Sequence, residues 1–341
     1  MEQAPLRSAP SHRRNAVRSA SAIGAFALTC SIWACSGVGP PGKPVVFGDQ
    51  TNIIIWDEAN QTEHFIRNAN FRSGADDFGF IAPTPGKPDL HEASTKAFYT
   101  LASLAPVQSF GGIGGGMGGG LYRSKAAEVK VIQEADVAGF HATTLWSTDA
   151  HAINDWMNSH GYVSTPEVEK WADRYTKRGW YLTAFKVIDR AKLAASTGTV
   201  RMSFRTRKPF NPFYVPSSNI LVNKKGTLRV YFVSVGDYDA NIGTYGTWQT
   251  PQWTAPIPEA TSALLAKQVK IPAEAIPDNV QVETFVDNDF PRPAADDIYF
   301  TKKRVSRASQ STPERASSAF LAMPVFAAGL LVVARRRRTV V

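Results

Sequence analysis

Two periodicities alternate along this chain and sort it into strands and helices. Residues 52–56 (Asn-Ile-Ile-Ile-Trp) form a short apolar β-branched run, and residues 63–71 alternate apolar with polar side chains. The turn formers of 57–62 lie between them, so the pair reads as a hairpin. A third strand at 78–82 runs into Pro83-Thr84-Pro85-Gly86-Lys87-Pro88, whose prolines force an extended path. Helical spacing follows within 92–104, where Ala97, Phe98, Leu101 and Leu104 share a stripe. Strand patterns return at 129–133 and 139–146.

The clearest pattern covers residues 148–187. Thr148 or Asp149 caps a helix that runs through Asn158, with Ile153, Trp156 and Met157 on one stripe and Gly161 at its end. Thr165-Pro166-Glu167 opens a second helix with a cap, a first-turn proline and an early acid. Val168, Trp171, Ala172 and Tyr175 make its apolar face, and Gly179 stops it. Residues 180–187 then alternate as a strand. Further strands are predicted at 199–206, 227–235 and 280–286, and a helix at 260–269. The expected fold is α+β: a twisted, mostly antiparallel sheet with a few packed helices. It occupies 45–300, as one domain or as two subdomains joined near 107–125.

Several of these pieces carry a resemblance. They are Ile-Ile-Ile-Trp-Asp at 53–57, Glu63-His64-Phe65, and Asp77-Phe78-Gly79-Phe80-Ile81-Ala82-Pro83-Thr84-Pro85 with a helix after its proline turn. Later come the Asp149-initiated helix, Gly179-Trp180-Tyr181-Leu182-Thr183-Ala184-Phe185-Lys186, and the proline-bounded segment 209–216. Over roughly 45–235 the chain resembles the secreted bacterial domain-of-unknown-function family 2330. The resemblance implies export and an α+β fold. Its motifs are structural punctuation, and it brings no established activity.

The two ends say where such a domain would sit. Arg7, Arg13, Arg14 and Arg18 precede an apolar stretch at 22–34, which gives way to Ser-Gly-Val-Gly-Pro-Pro. This is the layout of a secretory signal peptide over 1–34. Arg13-Arg14 also invites a twin-arginine reading, although Asn15-Ala16-Val17 lacks the hydrophobic follow-up. Cleavage after Ala34 would leave Cys35 first, and Ile32-Trp33-Ala34-Cys35 makes a lipobox with a bulky tryptophan at a small-residue position. Lipidation of Cys35 is the alternative anchor. The only other cysteine, Cys30, lies inside the signal, so the mature chain has no internal disulfide to form.

At the far end, Pro313-Glu314-Arg315 is followed by an uncharged apolar run at 319–334 and then by Arg335-Arg336-Arg337-Arg338. Sixteen helical residues cover roughly 24 Å, against about 30 Å of hydrocarbon. Snorkelling arginines and local thinning make a marginal transmembrane helix workable. The arginines favour the cytoplasmic side for 335–341 and leave the preceding chain outside. A buried or amphipathic C-terminal helix is the alternative, but no polar face breaks the run. The three parts are similar to the Pro-Glu-Pro sorting tags handled by exosortase-type transpeptidases, with arginine in place of the second proline.

Charge follows the same division. The chain carries 38 basic and 29 acidic residues, a net +9. Residues 1–35, 301–318 and the last arginine cluster together hold thirteen of the basic and two of the acidic ones, leaving 25 against 27 in the body. A near-neutral body has no surplus for the basic stripe that nucleic acid requires. Residues 301–318 read as a disordered basic tether.

Candidate chemistry is sparse. Asp149, His151 and Asp155 gather on one helix, where 151 and 155 share a face and could share a proton or a metal. Glu63-His64 stands opposite Asp57-Glu58 on the hairpin, read as charged pairs on a wet sheet face. Asp237, Asp239 and Asn241 alternate oxygen ligands as the opening of a calcium loop does. There the glycine comes one residue late, and Trp248 replaces the closing glutamate. An Asp/Asn-rich turn is the alternative. Tyr245, Trp248 and Trp253 could stack on a sugar ring or a partner if exposed, or cover the core if not. The glycine run at 111–120 contains a Gly-x-Gly-x-x-Gly match at Gly114, Gly116 and Gly119 but lacks a strand before it and a helix after it, so it reads as a loop.

Together these features point to an exported, membrane-anchored envelope protein whose domain binds or builds, without enzymatic activity. The alternative is a secreted, metal-assisted hydrolase using some of Asp149, His151, Asp237 and Asp239.

Overall fold

The computed structural model describes residues 36–38, 45–47, 49–68, 71–73, 78–106, 128–162, 164–188, 198–215, 226–244, 246–291, 293–294 and 296–303. In chain order the strands β1 (Ser36–Val38), β2 (Val45–Phe47), β3 (Gln50–Asp57), β4 (Thr62–Asn68), β5 (Phe71–Ser73), β6 (Gly79–Thr84) and β7 (Asp89–Glu92) precede helix α1 (Lys96–Ala102). The hairpin β8 (Lys130–Val137) and β9 (Phe140–Trp146) leads to α2 (Ala150–Ser159), α3 (Pro166–Thr176) and β10 (Tyr181–Val187). Then come β11 (Thr199–Arg205), β12 (Phe210–Asn211), β13 (Gly226–Ser234), β14 (Tyr238–Ile242), β15 (Thr247–Gln249) and β16 (Trp253–Pro256). Helix α4 (Glu259–Val269), β17 (Gln281–Phe290) and β18 (Ile298–Lys302) complete the described part.

A seven-stranded sheet in the order β16-β17-β13-β3-β4-β11-β7 is the frame. All its neighbours are antiparallel except β13 and β3, which run parallel. A five-stranded antiparallel sheet (β1-β6-β10-β9-β8) and a four-stranded one (β12-β18-β14-β15) supply the facing layer. Strands from either side of residues 107–125, where the sequence offered a subdomain joint, share the two larger sheets: β6 pairs with β10, and β4 with β11.

Alternation along β3 and β4 explains the layering, because successive side chains point to opposite faces. Ile53, Ile55 and Ile66 point outward, where Ala97, Phe98 and Leu101 of α1 and Leu265, Ala266 and Val269 of α4 cover them. Ile54, Trp56 and Phe65 point inward, into one core with Phe80, Phe140, Phe185, Phe232, Phe285 and Phe300. There Phe80 stacks on Phe185 at 4.4 Å and Phe232 on Phe300 at 4.2 Å. The far face of the five-stranded sheet offers Ile81, Leu145, Leu182 and Ala184 to Ile153 and Met157 of α2 and to Val168, Trp171 and Tyr175 of α3. The layers therefore run helices, sheet, paired sheets, helices.

Most of the longer elements fall where the periodicity places them; the short strands β1, β2, β5, β12, β15 and β16 have no counterpart in the sequence pattern, and three further segments depart from it. Residues 89–92 form the edge strand β7, so α1 begins only at Lys96. Residues 238–242 form a strand, not an Asp/Asn-rich turn or loop, because Tyr238 and Ala240 alternate into the core. Residues 301–303 belong to the fold and not to the tether. Thr301 and Lys302 end β18, and the Lys303 N–H donates to the Asp237 carbonyl at 2.8 Å. The segment 1–34, the glycine run and the tail from Arg304, with its apolar run at 319–334, lie outside the described residues. Among the described residues no helix is long and apolar enough to cross a membrane.

Candidate functional site

A cleft lies on the outer layer, between the start of α1 and the end of α4. Its volume is about 430 Å³, and Glu92, Ser94, Lys96, Leu264, Lys267 and Lys270 line it together with small neighbours. That is within the size range of small-ligand sites. Two linkages fix its walls: the Ser94 N–H donates to the Gln268 carbonyl at 2.8 Å, and Thr100 Oγ1 donates to Gln268 Oε1 at 3.1 Å. Arg201, buried under the helices, fixes its floor. One guanidinium nitrogen donates to the Lys270 carbonyl at 2.8 Å and another to Asp89 Oδ2 at 2.9 Å. Lys270 itself holds the left-handed conformation that ends α4 (φ 57°). None of the three lysines belongs to a local sequence pattern, because the cleft joins segments some 170 residues apart.

Beneath it lies a constellation the sequence pointed to under the wrong description. The β3–β4 hairpin is no wet face. It occupies the middle of the seven-stranded sheet, covered on both sides, so Glu63, His64 and Asp57 are buried at 0, 6 and 4 % exposure. Glu63 points inward, where its Oε2 accepts the Phe210 N–H at 2.9 Å. Burial raises its carboxyl well above the ordinary range. His64 points outward and meets Ser203 Oγ through Nδ1 at 2.7 Å. A serine–histidine contact is the start of a nucleophile pair, but the remaining requirements are unmet. Burial and the nearby Arg201 charge lower His64 to about 4, which makes it a weak base. Both oxygens of Asp57 accept from Asn60 in the hairpin turn, so Asp57 is committed there.

The other sequence candidates are placed as follows. Asp149 caps α2, its Oδ1 accepting the His151 N–H at 2.9 Å. The His151 ring lies between Asp155 (3.5 Å) and Glu169 of α3 (3.3 Å). It thus joins the two helices, with a partner in Glu169 that spacing along one helix could not reveal. The hydrogen bond to Glu169, then the Asp155 charge, raises its pKa above the usual 6.5. In an NMR titration His151 should show a midpoint above 6.5, and Glu169→Gln should bring it down. A midpoint that ignores the substitution would remove the helix-to-helix link.

Asp237, Asp239 and Asn241 are spread along or next to an extended strand, where alternate residues stand about 6.6 Å apart. Asp237 Oδ1 accepts from Gln281 at 2.8 Å, Asp239 faces Lys303 at 3.7 Å, and the Asn241 amide donates to the Asp239 carbonyl at 3.5 Å. They lie on or beside β14 of the four-stranded sheet, whereas Asp149 caps α2 and His151 lies on it, a helix packed on the five-stranded sheet. Among the described residues no group of three or more His, Cys, Asp or Glu is placed to hold a metal ion. Trp248 is 5 % exposed and donates its indole N–H to Asp287 Oδ2 at 2.9 Å, so it serves the core. Trp253 is half-buried on the edge strand β16, 6.1 Å from the Tyr231 ring. Tyr245 lies outside the described residues.

Sequence reasoning missed a buried acid node. Asp297 Oδ1 accepts the N–H groups of Phe213 (2.8 Å) and Tyr214 (2.9 Å) and the Tyr175 hydroxyl (3.2 Å). It binds β18's approach, the 213–214 segment and α3 at one atom. Glu283, 1 % exposed, accepts the Tyr238 N–H at 3.0 Å. Burial pushes Glu283 up to about 7 and Asp297 up to about 6.

The architecture defines a mixed α+β protein with mostly antiparallel sheets and, among the described residues, four α-helices. Its polar interior serves packing, and its outer helical layer carries the cleft. The chain belongs to the family described as an uncharacterized protein conserved in bacteria (DUF2330), whose model matches residues 29–236. The match stops short of α4, β17 and β18, although β17 pairs along β13 inside the main sheet. No curated protein matches the chain. Among solved structures, a mutated baculovirus p35 after caspase cleavage is similar at 10 % identity and a TM-score of 0.29, over 62 % of this chain and 76 % of that one.

Proposed function

We propose that this is an exported protein of the bacterial cell envelope, anchored by residues 319–334, which displays its α+β domain outside the membrane to bind or build. One observation carries the reading: a near-neutral body is bracketed by two uncharged apolar runs, each with an arginine cluster on the side that should remain cytoplasmic. The family's bacterial distribution agrees with it. Lipidation at Cys35 would add a second anchor, and a sorting transpeptidase acting at Pro313-Glu314-Arg315 would exchange the helix for another attachment. The displayed domain works as a binding or structural module. Asp57, Glu63, His64, Asp149 and His151 are engaged in caps, turns and inter-element bonds, and the cleft is lined by lysines.

The test is fractionation of cells that make the full chain or a chain lacking 319–338. The intact chain should sediment with membranes and be digested by external protease once any outer layer is opened. The shortened chain should be released. An intact chain that stays soluble, or is protected from protease in spheroplasts, contradicts the anchoring.

A further inference from the structure

We infer that the cleft between α1 and α4 is a binding site for the phosphate headgroup of an amphiphile such as a short phospholipid. The inference rests on the proposed display of the domain beside a membrane, and it adds a ligand class to that reading. Lys96 comes from the first turn of α1, Lys267 from the last turn of α4 and Lys270 from its left-handed end, and all three line one cleft. Among the described residues none of them has a carboxylate within ion-pair reach; Glu92, the one acid on the lining, is outweighed three to one. Three unpaired cations around one concavity stand out in a body whose charges otherwise balance.

The chemistry of the lining selects the headgroup. Lysine is a compact point charge with three donors, and three lysines on one lining suit a phosphate, which offers more charge and more acceptor oxygens than a carboxylate. Arg201, the arginine beneath the cleft, is buried and gives its two terminal nitrogens to the Lys270 carbonyl and to Asp89. The hydroxyls of Ser94 and Thr95 stand on the same lining. Apolar surface adjoins the cations. Leu264 lies one turn before Lys267 on α4 and is 47 % exposed, and Tyr99 lies one turn after Lys96 on α1 and is 76 % exposed. Both are large apolar side chains left in solvent on the helices that form the cleft. A phosphate with a hydrocarbon attached would satisfy cations and apolar rim together.

The experiment uses the purified full chain in nanodiscs of neutral lipid. It measures binding of dihexanoyl phosphatidic acid below its aggregation concentration, of glycerol 3-phosphate, and of dihexanoyl phosphatidylcholine. Phosphatidic acid should bind best, at least about ten-fold more weakly in 500 mM than in 50 mM salt. Binding should fall about ten-fold or more in the K96Q/K267Q/K270Q variant and stay unchanged in Lys177→Gln, which alters a lysine paired with Asp173 on α3. Matching melting curves for the variants exclude loss of fold. Equal binding of glycerol 3-phosphate and phosphatidic acid, lost in the triple variant, keeps the phosphate site but assigns it to free phosphate esters. No binding of either, or binding indifferent to the triple substitution, overturns the inference. This readout does not depend on where the chain resides in the cell, so a failure of anchoring in the fractionation test is distinguishable from a failure of the cleft.

Discussion

Raising the pH from 5 to 8 should lower the melting temperature of this protein, the reverse of what salt-bridged carboxylates produce. Glu63, Glu283 and Asp297 all have folded pKa values above their unfolded ones, because burial penalises the charged form. Between the two values the folded state holds a proton that the unfolded state has released, so stability falls as pH rises. For Asp297 the window runs from 3.8 to about 6, and for Glu283 from 4.5 to about 7. Glu63 acts in the same direction. His64 opposes them: folded near 4 and unfolded near 6.5, it costs stability as pH falls through that interval. Three groups outweigh one below pH 6.5, and above it His64 no longer contributes. A ten-fold difference in proton affinity between the folded and unfolded states is worth about 1.4 kcal/mol. Asp297 alone loses about one such step between pH 5 and its folded value, and the solvent that reaches Glu283 trims its share. A scanning-fluorimetry series across pH checks it, and the combined Glu63→Gln and Glu283→Gln variant should flatten the profile. A melting temperature that climbs steadily to pH 8 would contradict the protonated interior.

Asp297→Ala should be among the most damaging single substitutions available. It strips the common acceptor from two backbone N–H groups and the Tyr175 hydroxyl, of which the Phe213 and Tyr175 donors are fully buried and the Tyr214 donor partly so. Orphaned buried donors cost about 1–3 kcal/mol each, so a total of roughly 3–5 kcal/mol is expected after relaxation. Asp297→Asn keeps an oxygen for the same donors and should cost about 1 kcal/mol or less at pH 5, where the native carboxyl is largely protonated. Denaturant midpoints of the three proteins at pH 5 decide the matter. If alanine and asparagine prove equally mild, the node does not hold α3 to the sheet layer.

How far the sequence revealed this protein depended on how local each signal was. The α2–α3–β10 unit was legible because caps, stop glycines and apolar stripes all fall within 40 residues. Strand β14 was not, since Tyr-Asp-Ala-Asn-Ile is interrupted by Asp and Asn, poor strand formers, and strand propensity yields to context. Its alternation of Tyr238, Ala240 and Ile242 was the available sign. Strand β7, Asp-Leu-His-Glu, is an edge with no apolar run to betray it. The hairpin was found, but Glu63 and His64 were put in water, because charge along a strand says nothing about what covers it. Only the pairing of β4 with β11 and of β3 with β13, across 131–143 and 178 residues, makes them central. The acid node at Asp297 and the lysine cleft share that cause, being meetings of distant segments with no motif in any one of them.

The most direct measurement of the whole account is intact-mass and terminal sequencing of the mature protein recovered from its native host. A chain beginning at Cys35, found with membranes and either retaining Arg335–338 or cut near Pro313, is the predicted result. A chain recovered from the cytosol with Met1–Ala34 still attached would contradict it.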